Sequence, residues 1–450
     1  MLGVKTIGNA TLIAYDDVPI LATDPWFGDE DEAFFGSWGL PHQIPAAEKA
    51  DIQAAKYIWF LHGHPDHLNP HSIERLRHSS VLLPDHVGGR IKNALEAENY
   101  NVRILPDEQW VQLSRRIRVL CITDYTQDAV LLVEVGGRLF IDMNDSPGHA
   151  RIRFIRNIAS EFSHSYLLRL SGYDADMTNL FEASGRRIER GPFPPVGHWL
   201  SQYSRRIGAK SVIPFSSFHR YQREDSAWAN ASRTPLSAYQ DGFDEKLADF
   251  IAPFVWVDCA SGEVLELDPP ETPYVLHKPG EFGDSWSDEL DNDDKRVLDD
   301  YFLRKEKLQD LLCFITFSVG GKSHTIRAGG PSDRSVTFVV PRNSLMAAVT
   351  HKVFDDLLGG NFMKTVLHNI DSLYSPNFNY IVAKFADNGC AETKAEIKAY
   401  LAEYRKRCGT VDWVLHHLVS EGGALFRGYV SKESKFYTLA RDAYMRVLRN

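Results

Sequence analysis

The sequence predicts a two-domain protein of α/β or α+β class, for three reasons. A chain of 450 residues exceeds the roughly 250 to 300 residues that one hydrophobic core usually serves. Its opening part alternates short apolar runs, typical of buried strands, with stretches in which Leu and Ile recur every three or four residues, typical of helices. Consecutive strands follow, and two layers of sheet with helices outside would accommodate these elements.

The predicted elements follow one another in a clear order. The opening strands are ATLIAY, PILATDPWF, AKYIWFLH and VLLPDH, and the first helices are PHSIERLRH and GGRIKNALEAENY. The next strands are WVQLS, RIRVLCIT, AVLLVEV and RLFIDMN, the last two joined by a Gly136-Gly137 hairpin turn. The N-terminal part ends with a helix, a strand, a helix and a strand over FIRNIASEF, YLLRLSGY, PVGHWLSQYSRRIGA and SVIPF.

Composition places a domain boundary late in the chain. Residues 1–268 are predicted as the catalytic domain, and residues 269–298, rich in Pro, Gly, Asp and Glu, as a linker. Residues 299–450 are predicted as a C-terminal α+β domain, mostly helical, without a ligand cluster and with a structural or substrate-covering role. Its elements are the helix DDKRVLDDYFLRKEKLQDLLC, the strands CFITFSV, SHTIRAG and SVTFVVP, and the helices ETKAEIKAYLAEYRKR and SKFYTLARDAYMRVL.

Charge and composition exclude several classes of function. Fifty basic and sixty acidic residues give a net charge of -10, which argues against nucleic-acid binding through the overall field. The chain lacks an apolar run of about 18 residues and a signal-like start, so we expect no membrane span and a cytoplasmic location. The five cysteines are scattered and form no CxxC pair, which predicts buried thiols. The sequence does not determine the oligomeric state, and a homo-oligomer is one option.

The motif His62-Gly63-His64-Pro65-Asp66-His67 carries the chemistry. It follows directly on the apolar strand YIWFL, so four polar side chains leave the end of a buried strand. Imidazole and carboxylate are ligands for first-row divalent metals, and ligands two residues apart can converge on one ion. We therefore predict a site for two metal ions here.

This motif resembles that of the metallo-β-lactamase superfamily. The resemblance covers roughly residues 1–265 and includes an opening hairpin from Gly8 to Leu12 with the turn Thr23-Asp24-Pro25. It implies a four-layer αββα sandwich for the N-terminal domain. It also implies two divalent metal ions, zinc or iron, with manganese as a further option.

The resemblance implies a ligand set. His62 and His64 would hold the first metal, and Asp66 with His67 the second. Asp145 fits the bridging carboxylate, with Asp142 as the alternative. His219, after SVIPFSSF, fits the last family histidine. Asp66 and His219 are the expected catalytic residues.

One family ligand is absent from its usual place. Most relatives supply a third histidine to the first metal, but no histidine occurs between Leu105 and Asp145. Asp124 is the first choice to stand in for it, and Asp128 is the second. His149, in the same loop as Asp145, is a candidate for orienting a ligand.

A carboxylate in place of imidazole leaves two chemistries open. The general expectation for the superfamily is a hydrolase that acts on a small anionic substrate through a metal-bridging hydroxide. Because a carboxylate shifts preference from zinc toward iron or manganese, the alternative is a dinuclear iron oxygenase that uses dioxygen and an electron donor. Some superfamily members with a carboxylate at this position resemble dinuclear iron oxygenases, and the sugar-nucleotide hydroxylases related to the superfamily offer a similar case. A non-catalytic metal-binding protein is the third hypothesis.

The segment after His219 combines cations with aromatic rings. Arginine forks bind carboxylate or phosphate, and rings stack on sugars or bases, so the segment favours a nucleotide- or sugar-linked anionic substrate. A solvated irregular loop is the alternative. The candidate substrate-binding residues are Arg220, Tyr221, Arg223 and Trp228.

Overall fold

The computed structural model describes residues 1–28, 30–170, 179–189, 193–373 and 378–417. The predicted helix SKFYTLARDAYMRVL lies outside these residues. The strands are β1 Leu2–Ile7, β2 Thr11–Asp16, β3 Val18–Thr23, β4 Trp38–Gly39, β5 Tyr57–Trp59, β6 Ser80–Pro84, β7 Asn101–Leu105, β8 Trp110–Gln112, β9 Ile117–Thr123, β10 Ala129–Val135, β11 Arg138–Asn144, β12 Ser165–Arg169, β13 Leu180–Glu182, β14 Ser211–Pro214, β15 Arg220–Tyr221, β16 Asp249–Phe250, β17 Val255–Asp258, β18 Val264–Glu266, β19 Phe314–Val319, β20 Lys322–Arg327, β21 Ser335–Val339 and β22 Lys364–His368. The α-helices are α1 Ala46–Ala54, α2 Pro70–Glu74, α3 Arg90–Ala97, α4 Ile152–Ser160, α5 Val196–Ile207, α6 Asn292–Leu303, α7 Arg342–His351, α8 Phe354–Gly359 and α9 Lys394–Cys408. A π-helix spans Tyr380–Asn388, and a last described helix spans 410–417.

Two large sheets form the N-terminal domain. The first has eight strands in the order β18-β17-β1-β2-β3-β5-β6-β7, and the second has seven in the order β16-β14-β12-β11-β10-β9-β8. Alternate side chains of each strand enter different cores: Leu12 and Leu131 pack in one cluster, and their neighbours Ile13 and Leu132 in another. The second cluster also holds helix residues such as Leu200. The domain is therefore a sandwich of two sheets with helices outside, and the predicted fold class is confirmed.

Glycine turns end several elements, and the predicted hairpin turn is one of them. Gly136 and Gly137 have φ of +57° and +85°, which a two-residue hairpin between β10 and β11 requires. Gly208 ends α5 with φ of +81°, in the left-handed conformation that favours glycine. The sequence thus fixes where these elements stop.

The C-terminal part is built on a third sheet. Its five strands run in the order β13-β22-β21-β19-β20, so β13, from within the first 268 residues, pairs with β22, the last strand among the described residues. Helix α6 begins at Asn292 behind a capping box from Asp291 to Asp294, inside the segment predicted as linker. Leu290 already belongs to the C-terminal core. The domain limits predicted from composition thus stay a proposal, since β13 and the end of the predicted linker pack with the C-terminal part.

The two parts meet next to the metal-binding motif. Trp38 Nε1 donates to the Gly359 carbonyl at 3.1 Å, and Ser37 Oγ donates to the Gly360 carbonyl at 2.5 Å. Asn361 Nδ2 donates to Tyr221 Oη at 2.7 Å. These contacts hold the end of α8 against the loop that precedes and contains β4. In the described part of the chain, no helix combines the length and the apolar character needed to span a bilayer.

Candidate metal centre

The motif residues lie in a tight turn after β5. The backbone N–H groups of His67 and Leu68 both donate to the His64 carbonyl. Asn69 accepts from the first N–H groups of α2 and donates to the Pro65 carbonyl at 3.0 Å, so the turn is tied to the helix that follows. These hydrogen bonds therefore fix the shape of the loop that carries the motif.

Asn9 fixes the orientation of Asp66. Its Nδ2 donates to Asp66 Oδ2 at 3.1 Å, and its Oδ1 accepts from the Phe218 N–H at 2.9 Å. One buried amide thus links the metal-binding loop to the segment that precedes His219. This gives a physical role to the opening hairpin residue that the sequence pattern only marked.

Three histidines turn one ring nitrogen each toward a common point. His62 Nε2 lies 2.7 Å from His64 Nδ1 and 3.8 Å from Asp145 Oδ2. His67 Nε2 lies 3.4 Å from Asp66 Oδ2 and 3.6 Å from Asp145 Oδ2. Asp145 therefore lies between the two halves of the predicted centre, as a bridging carboxylate would.

The other ring nitrogen of each histidine faces a second carboxylate. His67 Nδ1 lies 3.3 Å from Asp24 Oδ2, and His62 Nδ1 lies 3.5 Å from Asp128 Oδ1. His64 Nε2 lies 3.0 Å from Asp355 Oδ2. An outer carboxylate fixes the tautomer of a metal-binding histidine and raises its basicity. Sequence reasoning noted Asp24 only as a turn and missed Asp355, whose 291-residue separation from His64 no local pattern reveals.

The charges of the motif histidines and the carboxylates beside them favour binding of a cation. Burial would lower the pKa of His67, but Asp66, Asp24 and Asp145 together raise it well above its usual value. Burial, together with the neighbouring His64 and His67, lowers the pKa of His62 well below its usual value, which favours the neutral ring that can bind a metal. His67 Nε2 is buried and has no hydrogen-bond partner among the described residues. The donor set therefore fits divalent metal ions, and their number stays a prediction.

Asp142, the alternative bridging ligand, behaves differently from Asp145. Its side chain is buried in β11, and burial raises its pKa well above the usual range, which disfavours the charged form that binds a metal. The Asp145 carboxyl is near two histidines, which hold its pKa below the usual value although burial opposes this. His62, His64 and Asp145 form one of two groups of three whose ligand atoms all lie within 4.8 Å of one another in the described residues. Geometry thus favours Asp145 as the bridging ligand.

Asp124 and Asp128, the first and second choices for the remaining ligand of the first metal, have different surroundings in the structure. Asp124 accepts from the N–H and hydroxyl of Thr126 at 2.9 and 2.5 Å and from Ser146 Oγ at 3.0 Å, which closes the turn between β9 and β10. Asp128 faces His62 and lines the cavity. The structure therefore favours the second choice, Asp128, for contact with the first site, and gives Asp124 a role in the turn.

His219 is buried against Trp38. Both of its ring nitrogens lack hydrogen-bond partners among the described residues, as a ligand without its ion would. It lies outside the two three-residue ligand groups formed in the described part of the chain. Its role as a ligand of the second metal stays a prediction.

The four candidate substrate residues have other partners. Arg223 is fully buried and binds Asp225 and Asp284, and Tyr221 Oη accepts from the C-terminal domain. Arg220 donates to the carbonyls of Thr272 and Pro273 and stacks on Tyr274, and the Trp228 ring is covered by Arg187 at 3.8 Å. These four residues therefore serve packing in the structure, because their cations and rings are already satisfied within the chain.

The cavity at the motif is lined by residues other than these four. A cavity of about 230 Å³ opens beside His64, Asp66, Asp128 and Asp145. Both domains line it. Its remaining walls are Phe34, Trp38, Thr126, Pro147, His149, Leu170 and Ser217 from the N-terminal domain and Asp355, Leu358, Asn379, Tyr380 and Lys384 from the C-terminal domain.

The sandwich topology and the motif at the end of β5 together decide the fold. The N-terminal domain has the metallo-β-lactamase fold. His62, His64, Asp66, His67 and Asp145 come together at the edge where β5 and β11 end, and the resemblance to the superfamily predicts its metal ligands there.

Comparisons with known proteins found similar sequences among hydroxylases. The cytidine monophosphate-N-acetylneuraminic acid hydroxylase of Asterias rubens is 28% identical over 136 residues, which is 28% of this chain and 20% of that protein. The Sus scrofa hydroxylase of the same name is 24% identical over 131 residues, 27% of this chain and 30% of that protein. The matched part thus spans less than a third of these relatives. No family model matches the chain.

Two solved structures are similar at low identity. CmlA, a diiron beta-hydroxylase from Streptomyces venezuelae, is 14% identical with a TM-score of 0.36, over 59% of this chain and 54% of that one. An isothiocyanate hydrolase from Delia radicum gut bacteria is 12% identical with a TM-score of 0.37, over 59% of this chain and 99% of that one. The similar proteins thus include a hydroxylase and a hydrolase.

Proposed function

We propose that this protein is a dinuclear iron hydroxylase acting on a nucleotide-linked sugar. The observation that carries the proposal is the ligand group of the first site, two histidines and one carboxylate. His62 and His64 meet Asp145, and the carboxylates Asp128 and Asp355 face the outer nitrogens of the two histidines. Two histidines and one carboxylate form the donor set that non-haem iron(II) oxygenases use.

The sequence relatives support the same choice. The matched proteins are hydroxylases of a cytidine monophosphate-linked sugar acid. The reaction consumes one dioxygen, two electrons from a donor and two protons, and gives a hydroxylated carbon and one water. Two metal ions bound here would supply dioxygen activation.

The chain's own residues bind and enclose the substrate. Lys384 and Tyr380 bring an ammonium and a phenol to the cavity wall, where they suit a phosphate or carboxylate. Trp38 and Phe34 offer aromatic faces for a base or sugar ring. Because both domains line the cavity, the C-terminal domain restricts access of water to the reacting carbon.

Hydrolysis is the second candidate function. The observation in its favour is again the pair Lys384 and Tyr380, since a cation and a hydroxyl donor beside a bridged metal pair would stabilise negative charge developing on a scissile group. In that reaction the metals would activate water instead of dioxygen.

Metal analysis with a product assay separates the two functions. Protein purified aerobically should contain iron, and incubation with cytidine monophosphate-N-acetylneuraminic acid, a reductant and ¹⁸O₂ should add one labelled oxygen to the sugar. His62→Ala should abolish this, and Asp299→Asn, which removes a carboxylate contact to His324 in the C-terminal domain, should not. Two zinc ions with release of cytidine monophosphate would instead establish hydrolysis.

A further inference from the structure

Asp355 differs from the other outer carboxylates in its origin. Among the described residues that face the outer nitrogens of the motif histidines, Asp24 and Asp128 belong to the N-terminal domain, and only Asp355 belongs to the C-terminal domain. Its side chain is 9% exposed, and its distance of 3.0 Å to His64 is the shortest of the three. A residue far away in the chain thus completes the surroundings of a predicted metal ligand.

A rigid element places Asp355. It is the second residue of α8, and its neighbour Phe354 is buried in the C-terminal core. The Phe354 N–H donates to Asp387 Oδ2 at 3.5 Å, and Tyr301 Oη donates to the same oxygen at 2.5 Å. The start of α8 is therefore held to the π-helix and to α6 before it meets His64.

The other end of α8 is held by the N-terminal domain. The carbonyls of Gly359 and Gly360 accept from Trp38 and Ser37, as described above. A shift of the C-terminal domain would thus pull α8 away from Trp38 and Ser37. The contact of Asp355 with His64 would then be lost.

We propose that Asp355 is a positioning residue for the metal ligand His64, so that docking of the C-terminal domain and metal binding at the first site support each other. Asp355 accepts a hydrogen bond from His64 Nε2 and so holds the tautomer that carries its proton there. Nδ1, which faces His62 and Asp145, is then left without a proton and can bind a metal. Loss of such an outer partner typically costs about 10- to 100-fold in metal affinity. Coupling between two binding events is reciprocal, so a bound metal also holds α8 in place.

The affinity test compares Asp355→Asn with Asp299→Asn. Both substitutions remove a carboxylate that contacts a histidine, but the Asp299 pair with His324 is remote from the cavity. Cobalt(II) titration against a competing chelator should show first-site affinity lowered about 10- to 100-fold in Asp355→Asn and unchanged in Asp299→Asn. Asp355→Glu should restore part of the affinity, because it restores the carboxylate.

The stoichiometry decides between positioning and direct ligation. At saturating cobalt, Asp355→Asn should still bind as many ions as the wild type, with a shifted visible spectrum. Loss of a whole ion at saturation would overturn the positioning role, because it would make Asp355 a direct ligand. Wild-type affinity in Asp355→Asn would overturn it as well.

Hydrogen exchange tests the coupling to domain docking. Loading with cobalt should slow amide exchange in 354–361 of the wild type and have little effect there in Asp355→Asn. Equal slowing in both proteins would contradict the coupling. This inference rests on the metal centre of the proposed function, and the two fail differently: wild-type protein that binds no metal refutes the centre, whereas tight binding that Asp355→Asn leaves unchanged refutes only the role of Asp355.

Discussion

Trp38 stacks flat on His219, with ring centroids 3.4 Å apart and an angle of 6° between the planes. The same indole donates through Nε1 to Gly359 of the C-terminal domain and lines the cavity. Trp38 thus sets the orientation of the predicted last ligand and also contacts the domain that covers it.

Trp38→Leu should weaken metal binding at the second site. The change removes the ring that fixes His219, so we expect an affinity loss of roughly 10-fold there, as for other residues that orient a ligand. Chelator competition with zinc measures it. Trp286→Leu, at an exposed indole outside the cavity, is the control. Unchanged second-site affinity in Trp38→Leu would remove His219 from the ligand set.

Asp128 and Asp124 should give opposite results on substitution. Asp128→Asn should lower first-site metal affinity by about 10- to 100-fold, because His62 loses its outer carboxylate. Asp124→Ala should leave affinity nearly unchanged but lower the free energy of unfolding by roughly 1–3 kcal/mol, because buried donors of Thr126 and Ser146 lose their acceptor. Metal titration and urea unfolding measure the two effects. Loss of affinity in Asp124→Ala alone would restore Asp124 as the ligand.

The sequence was informative where contacts are local. The motif from His62 to His67 and the Gly136-Gly137 turn depend on neighbours a few residues away, so spacing predicts them. The choice between Asp124 and Asp128 lay beyond that information, because both acids lie in one turn and only the pairing of β9 with β10 decides which of them faces His62.

Contacts between domains could not be predicted from spacing. Arg223 and Tyr221 look like substrate residues in sequence because cations and rings suit anionic ligands. In the structure, Arg223 binds Asp284 and Tyr221 meets Asn361, both far along the chain. Asp355 is the converse case, an unremarkable acid in sequence that reaches the metal centre through the docking of α8.

Arg223 and Lys384 should separate stability from substrate binding. Arg223→Met should lower the free energy of unfolding by about 3–5 kcal/mol, because it leaves the Asp284 carboxylate buried without its cation. Lys384→Met should raise KM for an anionic substrate with a smaller effect on stability, because its side chain lines the cavity. Thermal unfolding and steady-state kinetics measure these effects. A raised KM in a fully stable Arg223→Met protein would return Arg223 to the substrate site.

Lys305 should make the stability of the metal-free protein depend on alkaline pH. Burial lowers the pKa of its ammonium to about 8, although Asp387 opposes this, and its side chain is 1% exposed. In the unfolded chain a lysine titrates near about 10.4. Between these pH values the unfolded chain binds more protons than the folded one. The free energy of unfolding should therefore rise with pH from about 8 to about 10.4, by up to about 3 kcal/mol.

Urea unfolding at several pH values checks this dependence. Lys305→Met should remove the rise, because the titrating group is gone. Lys322→Met should retain it, because that ammonium is 71% exposed and makes only a surface pair with Glu289. A rise of equal size in Lys305→Met would assign the alkaline dependence to other groups, and burial of the Lys305 ammonium would then not be its cause.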